Sequence, residues 1–326
     1  MSADVVRDIH VLRYFSSFVS VSHGRVIHVT EPGLSFCPLA GHLYKGLKNT
    51  RGADQAVIKR EIQSAIESKI RDYGLFTEQR SFSVGDVAIP FGASEMLMLA
   101  LSKKSVDAAV IVCDGAGTVI ANHGPLVQGI GARMNSLVLT TPIKGVMDRL
   151  QDFGCHVVFD NAFIDQVKGV KKAIDLGYKR IAVTVSGHDA DKLEGIRALE
   201  TPGRVTITIL VVCTTGIAGS KVEFIQQYAD LVWSCASEDV RQKVGASARL
   251  QISKTIPVFV MTSKGTEFIA AYAEDARVLL GLGEQKQYLI SNEPGGQELK
   301  MGASRCFLRE KELPVLSDKS FSLAGA

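Results

Sequence analysis

The chain has 326 residues, of which 46% are hydrophobic, 22% charged and 7% aromatic, and its formal net charge at pH 7 is +3. This composition is typical of a folded globular protein and excludes a largely disordered chain. Lys and Arg are scattered among Asp and Glu, so no basic stripe for nucleic acid is expected. No apolar run approaches the roughly 20 residues that cross a bilayer, and the N-terminus has no signal-peptide pattern. We therefore expect a cytoplasmic protein that binds neither nucleic acid nor membrane.

The first part of the chain predicts a hairpin followed by an amphipathic helix. Residues 9–31 contain two β-rich runs that flank a turn at 22–24. Asp54 is placed to cap a helix, and Gly74 is placed to end it in the left-handed conformation. The apolar face of this helix repeats every four residues: Ile58, Ile62, Ile66 and Ile70. We assign residues 1–85 to this N-terminal region.

Residues 86–291 predict an α/β core domain, because strand, loop and helix patterns alternate there. The predicted strands start near residues 107, 136, 156, 180, 205, 230 and 256. Their near-continuous apolar runs favour parallel strands covered on both faces. The expected fold is a mostly parallel, three-layer helix–sheet–helix body, and the alternative is a (β/α)8-like barrel. Residues 292–326 lack periodicity and are predicted to form an extended C-terminal tail.

The loop at residues 113–118, Cys-Asp-Gly-Ala-Gly-Thr, is the leading candidate site. It follows a buried strand, and ligands bind beyond the carboxyl ends of parallel strands. We predict Cys113 and Asp114 as catalytic residues. Gly115, Gly117 and Thr118 are predicted to bind a cofactor or anion through free backbone N–H groups. The alternative is a tight turn in which Asp114 caps backbone amides.

Three further positions extend this predicted site. Arg133 follows a glycine-rich turn and has the fork geometry that binds carboxylate or phosphate, although a solvated arginine explains it equally. Thr214, Thr215 and Ser237 follow two other apolar strands and are predicted to orient a substrate or cofactor. Lys264 also follows a strand, where an ammonium can pair with an anion or remain in solvent.

A metal site is predicted from three cysteines. Cys37, Cys113 and Cys235 would give three thiolates and one vacant position if the fold brings them to one edge, which is a pattern of catalytic metals. Thiolates favour an iron–sulfur cluster, zinc or copper(I). Cys213 has the same placement as Cys235, but an isolated cysteine at a strand end is commonly a small hydrophobic residue.

Several motifs together resemble the methanogenesis marker protein 8 family over most of residues 1–265. The motifs are Phe36–Leu39, Phe91–Glu95, Cys113–Thr118, Gly129–Gly131, Thr140–Ile143, Ile181–Val185, Thr214–Gly216 and Cys235–Ser237. The resemblance implies a role in anaerobic, methanogen-type metabolism that accompanies methyl-coenzyme M reductase, its cofactors and its activation. Position 213 departs from that family, in which a histidine precedes Thr-Thr-Gly.

Three functional hypotheses follow. The first is an enzyme or maturation factor of anaerobic metabolism with a thiolate-bound metal or iron–sulfur cluster. The second is a metal-free enzyme or binding protein for a small anionic molecule, held by residues 115–118 with Arg133 or Lys264. The third is a non-catalytic assembly partner of another protein. A homo-oligomer of this chain is a further alternative for its assembly.

Overall fold

The computed structural model describes residues 8–83, 90–134, 136–317 and 321–324. These residues form a mixed α/β fold with sheets of four, eleven and two strands. The strands are β1 (His10–Tyr14), β2 (Ser17–Ser22), β3 (Arg25–Val29), β4 (Leu34–Phe36), β5 (Ala108–Cys113), β6 (Gly117–Ala121), β7 (Ser136–Thr140), β8 (His156–Val157), β9 (Arg180–Ser186), β10 (Thr206–Val212), β11 (Leu231–Trp233), β12 (Leu250–Ile252), β13 (Val258–Val260), β14 (Tyr288–Ser291), β15 (Gln297–Met301), β16 (Ser304–Glu310) and β17 (Ser322–Leu323).

The helices lie mostly between these strands. They are α1 (Pro38–Leu43), α2 (Gln55–Tyr73), α3 (Ala93–Ser102), α4 (Gly124–Gly131), α5 (Lys144–Asp152), α6 (Gln166–Asp175), α7 (Leu193–Arg197), α8 (Ser220–Tyr228), α9 (Gly245–Ser247), α10 (Ser263–Ala270) and α11 (Ala276–Leu280). Short 3-10 segments cover Lys45–Asn49 and Gly187–Lys192, and a π-helical turn covers Val240–Val244. Within the described residues, none of these helices combines the length and apolar character needed to span a bilayer.

The N-terminal hairpin and helix are confirmed. Strands β2 and β3 form the hairpin, with β1 and β7 completing an antiparallel sheet in the order β3-β2-β1-β7. The side chain of Asp54 accepts from the backbone N–H of Ala56, and Gly74 ends α2 with φ 65°. The isoleucines at 58, 62 and 66 are fully buried against this sheet. The region boundary expected at 85–86 lies outside the described residues.

The large sheet is open and mixed, with strand order β15-β16-β14-β12-β13-β11-β10-β9-β5-β6-β8. Its central strands β11, β10, β9 and β5 are parallel, and β12 pairs in parallel with β14. The other six pairings are antiparallel. The prediction of a mostly parallel sheet is therefore wrong, and the barrel alternative is excluded because the sheet does not close. Antiparallel strands buried on both faces have the same continuous apolar runs as parallel strands.

Helices cover both faces of the large sheet. One apolar cluster includes residues of α3, α4 and α10, such as Met96, Val127 and Phe268. A second cluster includes residues of α6, α7 and α8, such as Val170 and Ile225. The predicted layering of helices around a sheet is thus present although strand directions differ from the prediction.

The C-terminal segment also differs from the prediction of an extended tail. Strands β15 and β16 form a hairpin that joins the large sheet through antiparallel pairing of β16 with β14. The alternating burial of β16 places Cys306 and Leu308 in the core. Residues that looked aperiodic are therefore the edge of the main sheet.

Candidate functional site

A cavity of about 860 Å³ lies at the carboxyl ends of β5, β9, β10 and β11. Residues that end or follow these strands line it, including Ser186, Cys213 and Cys235. Phe91 and Trp233 contribute aromatic surface, and the indole Nε1 of Trp233 donates a 2.9 Å hydrogen bond to the carbonyl of Phe91. This is the location at which open α/β sheets bind ligands, and the volume suits a small organic molecule.

A smaller cavity of about 180 Å³ adjoins the larger one, since Cys213 and Cys235 line both. Cys37 also lines the smaller cavity. Its wall contains five basic residues: Arg13, Lys69, Arg133, His188 and Arg241. Among the described residues of this wall there is no Asp or Glu. An enclosed site with this charge distribution attracts an anionic group.

The two shared cysteines have an unusual backbone conformation. The φ angles of Cys213 and Cys235 are 57° and 40°, in the left-handed region that disfavours non-glycine residues. Phe91 and Ser253, which line the larger cavity, also have positive φ angles of 66° and 68°. Such strain costs about 1–3 kcal/mol per residue and concentrates at functional sites. The backbone therefore marks the same location as the cavities.

Arg241 holds the Cys235 segment from within the protein. Its Nε and Nη2 donate hydrogen bonds of 2.9 and 2.7 Å to the carbonyl of Cys235, and Nη2 also donates to Thr255 at 3.2 Å. The side chain is only 2% exposed. Burial lowers the pKa of Arg241, and its charge interacts with the thiols of Cys235 and Cys37. A guanidinium beside thiols favours their thiolate forms.

Burial opposes that effect at Cys37 and at Cys213. Burial raises the pKa of Cys37, and burial together with Cys235 raises the pKa of Cys213 to about 12. Both groups are therefore neutral thiols at pH 7. Cys235 is partly exposed like the other two, but it lines both cavities and its backbone carbonyl accepts two hydrogen bonds from Arg241, so we take it as the candidate reactive thiol.

His188 contributes a neutral imidazole to the smaller cavity. Burial, and then the charges of Arg13 and Lys221, lower its pKa to about 4. Its Nε2 lies 3.2 Å from Nη1 of Arg13, so the neutral ring accepts a hydrogen bond from the guanidinium. At pH 7 the histidine thus orients Arg13 without adding charge.

Sequence reasoning missed most of this basic wall. The residues come from β1, α2, the 3-10 segment after β9 and the π-helical turn, and only Arg133 was predicted. Arg133 lies with its guanidinium 5.1 Å from the ring centre of Tyr73 and lines the smaller cavity. Isolated basic residues on four elements have no shared motif, so no pattern in the sequence could have grouped them.

The predicted catalytic pair lies outside both cavities. Asp114 is fully buried; its Oδ1 accepts from Nε of Arg80 at 2.9 Å and its Oδ2 from the backbone N–H of Phe76 at 2.7 Å. Cys113 is fully buried, and burial together with the charge of Asp114 raises its thiol pKa well above the usual value. The loop that follows α2 contacts this end of β5 through the bonds of Phe76 and Arg80 to Asp114. Neither Cys113 nor Asp114 lines a cavity described above.

The glycine loop is the turn of the β5–β6 hairpin. The N–H of Gly115 donates to Oγ1 of Thr140 at 2.8 Å, and the N–H of Thr118 donates to Phe163 at 3.1 Å. Oγ1 of Thr118 donates to Gln166, and a Cβ on Gly117 would lie 2.2 Å from the carbonyl oxygen of Ala162. These groups, which were predicted to bind an anion, have partners within the protein.

The predicted hydroxyl residues divide between structural contacts and the cavity wall. Thr214 is buried and donates to Trp233 at 2.6 Å, while Ser237 donates to Ile217 at 2.6 Å and caps the π-helical turn through the N–H of Val240. Thr215 lines the smaller cavity. Of this group, Thr215 is therefore the residue that a bound molecule can reach.

Lys264 lies at the opposite edge of the sheet. It forms an ion pair with Glu200 and donates to the carbonyl of Ile207, near the start of β10. The reason is the direction of β13, which is antiparallel to β11, so that its end lies at the amino edge of the parallel strands. Strand order along the chain does not reveal this reversal.

The structure brings together two of the three predicted metal ligands. Cys37 and Cys235 line the smaller cavity, with Cys213 as the third thiol on that wall, whereas Cys113 lines neither cavity. Across the described residues, no group of three or more His, Cys, Asp or Glu side chains is arranged to hold a metal ion. The thiolate-bound metal stays a prediction.

Two comparisons with known proteins extend over this site. A family described as "Uncharacterized protein conserved in archaea (DUF2099)" matches residues 10–274. The "Uncharacterized protein MJ0054" of Methanocaldococcus jannaschii is 40% identical over 278 residues, which cover 85% of this chain and 94% of that relative. All five basic residues of the smaller cavity and its three thiols lie within the matched range.

Proposed function

We propose that this chain, which belongs to the DUF2099 family of proteins conserved in archaea, is a thiol-containing enzyme that binds a small anionic molecule with an apolar body. The acidic group of the molecule binds in the smaller cavity, and the apolar body occupies the larger one. The observation that carries this proposal is the wall of the smaller cavity, where five basic residues meet three thiols.

The charge of this wall supports an anion and not a cation. Arg13 and Arg241 remain charged at neutral pH, and guanidinium groups bind carboxylate or phosphate through paired hydrogen bonds. Because burial lowers the pKa of both arginines, an anion regains part of the free energy that their burial costs. Charge complementarity is therefore the expected source of affinity.

The position of Cys235 supports a chemical role beyond binding. It lines both cavities, so its thiol borders the acidic group and the apolar body of the same molecule. Its strained backbone and the two hydrogen bonds from Arg241 hold it there. We assign Cys235 as the nucleophile or acid of the reaction and Arg241 as the residue that positions it.

A thermal-shift series tests the binding part of the proposal, with inorganic phosphate, phenyl phosphate and benzyl alcohol as probes. Phenyl phosphate should raise the Tm most, because it alone combines an anionic group with an apolar ring. A ligand at 100 times its Kd stabilises by about 2.7 kcal/mol. Arg241→Met and Arg13→Met should reduce the shift. Arg180→Met is the matched control, because Arg180 pairs with Asp107 at the amino edge. Equal shifts from phosphate and benzyl alcohol, or no shift, would overturn the proposal.

Alkylation tests the thiol part. Iodoacetate is anionic and iodoacetamide is neutral, so the ratio of their rates at one thiol reports the local charge. At Cys235 we expect the rate of iodoacetate divided by that of iodoacetamide to be higher in the unmodified protein than in the Arg241→Met variant. Phenyl phosphate should slow the modification of Cys235. If neither the Arg241→Met substitution nor phenyl phosphate changed the alkylation rates at Cys235, a role for Cys235 in the site would be contradicted.

A second candidate is the thiolate-bound metal or iron–sulfur cluster of anaerobic, methanogen-type metabolism. The resemblance to the methanogenesis marker protein 8 family supports this setting. Cys37, Cys213 and Cys235 line one cavity, and their side chains would have to move closer together to hold one metal ion. Anaerobic purification followed by absorption spectroscopy and iron and sulfide analysis tests it. Cluster absorbance that Cys37→Ser and Cys235→Ser abolish, and Cys155→Ser retains, would favour it over the metal-free enzyme.

A further inference from the structure

Lys69 is a buried lysine that the proposed thiol chemistry does not use. It lies on α2 with 3% of its side chain exposed, and it lines the smaller cavity. An amine that is shielded from bulk water and borders a ligand cavity is placed to meet a bound molecule. Its position connects the N-terminal helix to the anion-binding wall.

The surroundings of Lys69 are aromatic and basic on the side of the smaller cavity. Its Nζ lies 5.0 Å from the ring centre of Tyr14 and 5.3 Å from that of Tyr44. Burial, and then the charge of Arg133, lower the pKa of Lys69 to about 7. Burial raises the pKa of both tyrosines, so both are neutral at pH 7. About half of the lysine is then a neutral amine at that pH.

Lys69 also lines a third cavity, of about 300 Å³. Its wall includes Glu61 and Asp72 together with Lys45 and Arg133. After burial, the charge that lowers the pKa of Lys69 is that of Arg133. The lysine therefore borders one cavity with mixed charge and one with a basic wall.

We propose that Lys69 is a nucleophilic amine that condenses with the carbonyl group of a small aldehyde or ketone that carries a carboxylate or phosphate. This inference rests on the proposed function, because the same arginines would hold the acidic group of the carbonyl compound. A lysine that is desolvated and lies beside a second cation is the arrangement that supplies a neutral amine in water near pH 7.

The step balances without an oxidant or reductant. The lone pair of Nζ attacks the carbonyl carbon, and the carbonyl oxygen takes up a proton to give a carbinolamine. Loss of that hydroxyl as water, with the proton from nitrogen, leaves a C=N bond between Lys69 and the substrate carbon. The positive charge of the protonated imine then withdraws electrons from the neighbouring carbon, where bond cleavage or proton removal follows.

A structural role of Lys69 predicts something different. A lysine with a purely structural role stabilises the fold through its contacts, such as those with the rings of Tyr14 and Tyr44, and an arginine keeps the cation–π part of them. Arginine cannot lose its proton near neutral pH and forms no imine. Chemical reactivity therefore separates the two roles, whereas a change in stability does not.

The test is reductive trapping of the full-length protein with glyoxylate, the smallest aldehyde with a carboxylate, and cyanoborohydride at pH 7. Peptide mass mapping locates the carboxymethyl group. Lys59, on the same helix and paired with Glu31, is the matched reference site. Ionisation alone favours Lys69 on the order of a thousandfold over an ordinary lysine, and we expect at least about tenfold faster labelling after restricted access.

Two variants and a pH profile complete the test. Lys69→Arg should lose this adduct, while Lys59→Arg should keep it. In the unmodified protein, labelling of Lys69 should rise with a midpoint near pH 7, whereas that of Lys59 should still be rising above pH 9. The pH profile needs no variant, so it decides the matter even if Lys69→Arg fails to fold.

The outcomes separate this inference from the proposed function. Absence of an adduct at Lys69, or a labelling midpoint near that of Lys59, overturns the imine role even when phenyl phosphate still stabilises the protein. An adduct at Lys69 whose formation depends on Arg13 or Arg241 supports both. An adduct at Lys69 without any stabilisation by anions supports the reactive amine and overturns the proposed anion site.

Discussion

Cys213 and Cys235 follow neighbouring parallel strands, line the same two cavities and both have positive φ angles. Burial, and then the neighbouring Cys235, raise the pKa of the Cys213 thiol. After each of these two adjacent strands, a residue with a left-handed φ angle turns the backbone away from the extended conformation beside the ligand cavity. The cysteines are thus linked by conformation as well as by location.

Replacement of Cys213 by glycine should give a more stable protein than replacement by alanine. Glycine adopts a positive φ freely, whereas alanine keeps a penalty of roughly 1–2 kcal/mol. Urea unfolding of Cys213→Gly and Cys213→Ala measures the difference. At Cys155, which is buried with an ordinary φ, the order should reverse. A Cys213→Ala variant at least as stable as Cys213→Gly would show that Cys213 carries no backbone strain.

Asp114→Asn should destabilise the protein by about 3–5 kcal/mol, because it leaves the buried guanidinium of Arg80 without its counter-charge. Urea unfolding measures this loss, and a cycle with Arg80→Met should show strong coupling between the two positions. Stabilisation of the folded variant by phenyl phosphate should be retained. A variant with normal stability that no longer responds to the ligand would restore Asp114 as a site residue.

Gly117→Ala should cost at least about 2 kcal/mol, since it combines a positive φ with a backbone clash. The added Cβ would lie 2.2 Å from the carbonyl oxygen of Ala162. Gly203→Ala is the matched control, because Gly203 has a similar φ of 72° and open space around it. The difference in unfolding free energy between the variants isolates the clash. Equal losses would mean that the hairpin turn has room for a side chain.

Lys69→Met should flatten the dependence of stability on pH. The folded pKa of Lys69 is about 7, below the ordinary value of 10.5, so between these values the unfolded chain binds more protons. Stability therefore rises with pH across this window, and the full cost of the buried ammonium is present below pH 7. The variant should gain on the order of a few kcal/mol at pH 6 and less at pH 10.

Urea unfolding of the Lys69→Met variant at pH 6, 8 and 10 measures this gain, and Lys59→Met, at a partly exposed position of α2, is the control. Curves of the variant and the unmodified protein that run parallel across this range would rule out a depressed pKa at Lys69. The measurement uses ligand-free protein, so it does not depend on the proposed function.

Helix α2 was predicted to the residue because its signals are local. The cap at Asp54, the four-residue repeat of isoleucine and the left-handed Gly74 act within one helix. The hairpin of β2 and β3 was predicted for the same reason. The C-terminal hairpin was missed because β16 pairs with β14, which lies outside the segment. The sequence of the segment alone does not reveal that pairing.

The candidate site was predicted in part, and strand direction explains the remainder. The expectation that chemistry lies where apolar strands end placed Cys235 and Thr215 at the cavity. Lys264 went to the other edge because β13 runs antiparallel. Cys113 ends a strand at the expected edge, but the loop containing Phe76 and Arg80 covers it. Covering segments are tertiary contacts, which a strand's own sequence does not specify.

The pairing of β1 with β7 has a consequence for synthesis on the ribosome. His10 pairs with Thr140, 130 residues later in the chain. At 5–20 residues per second, the first strand waits roughly 7–26 s for its partner to be translated. During that interval the edge of the nascent hairpin is open to other chains. A chaperone that occupies the newly made N-terminal segment would protect it until translation passes β7.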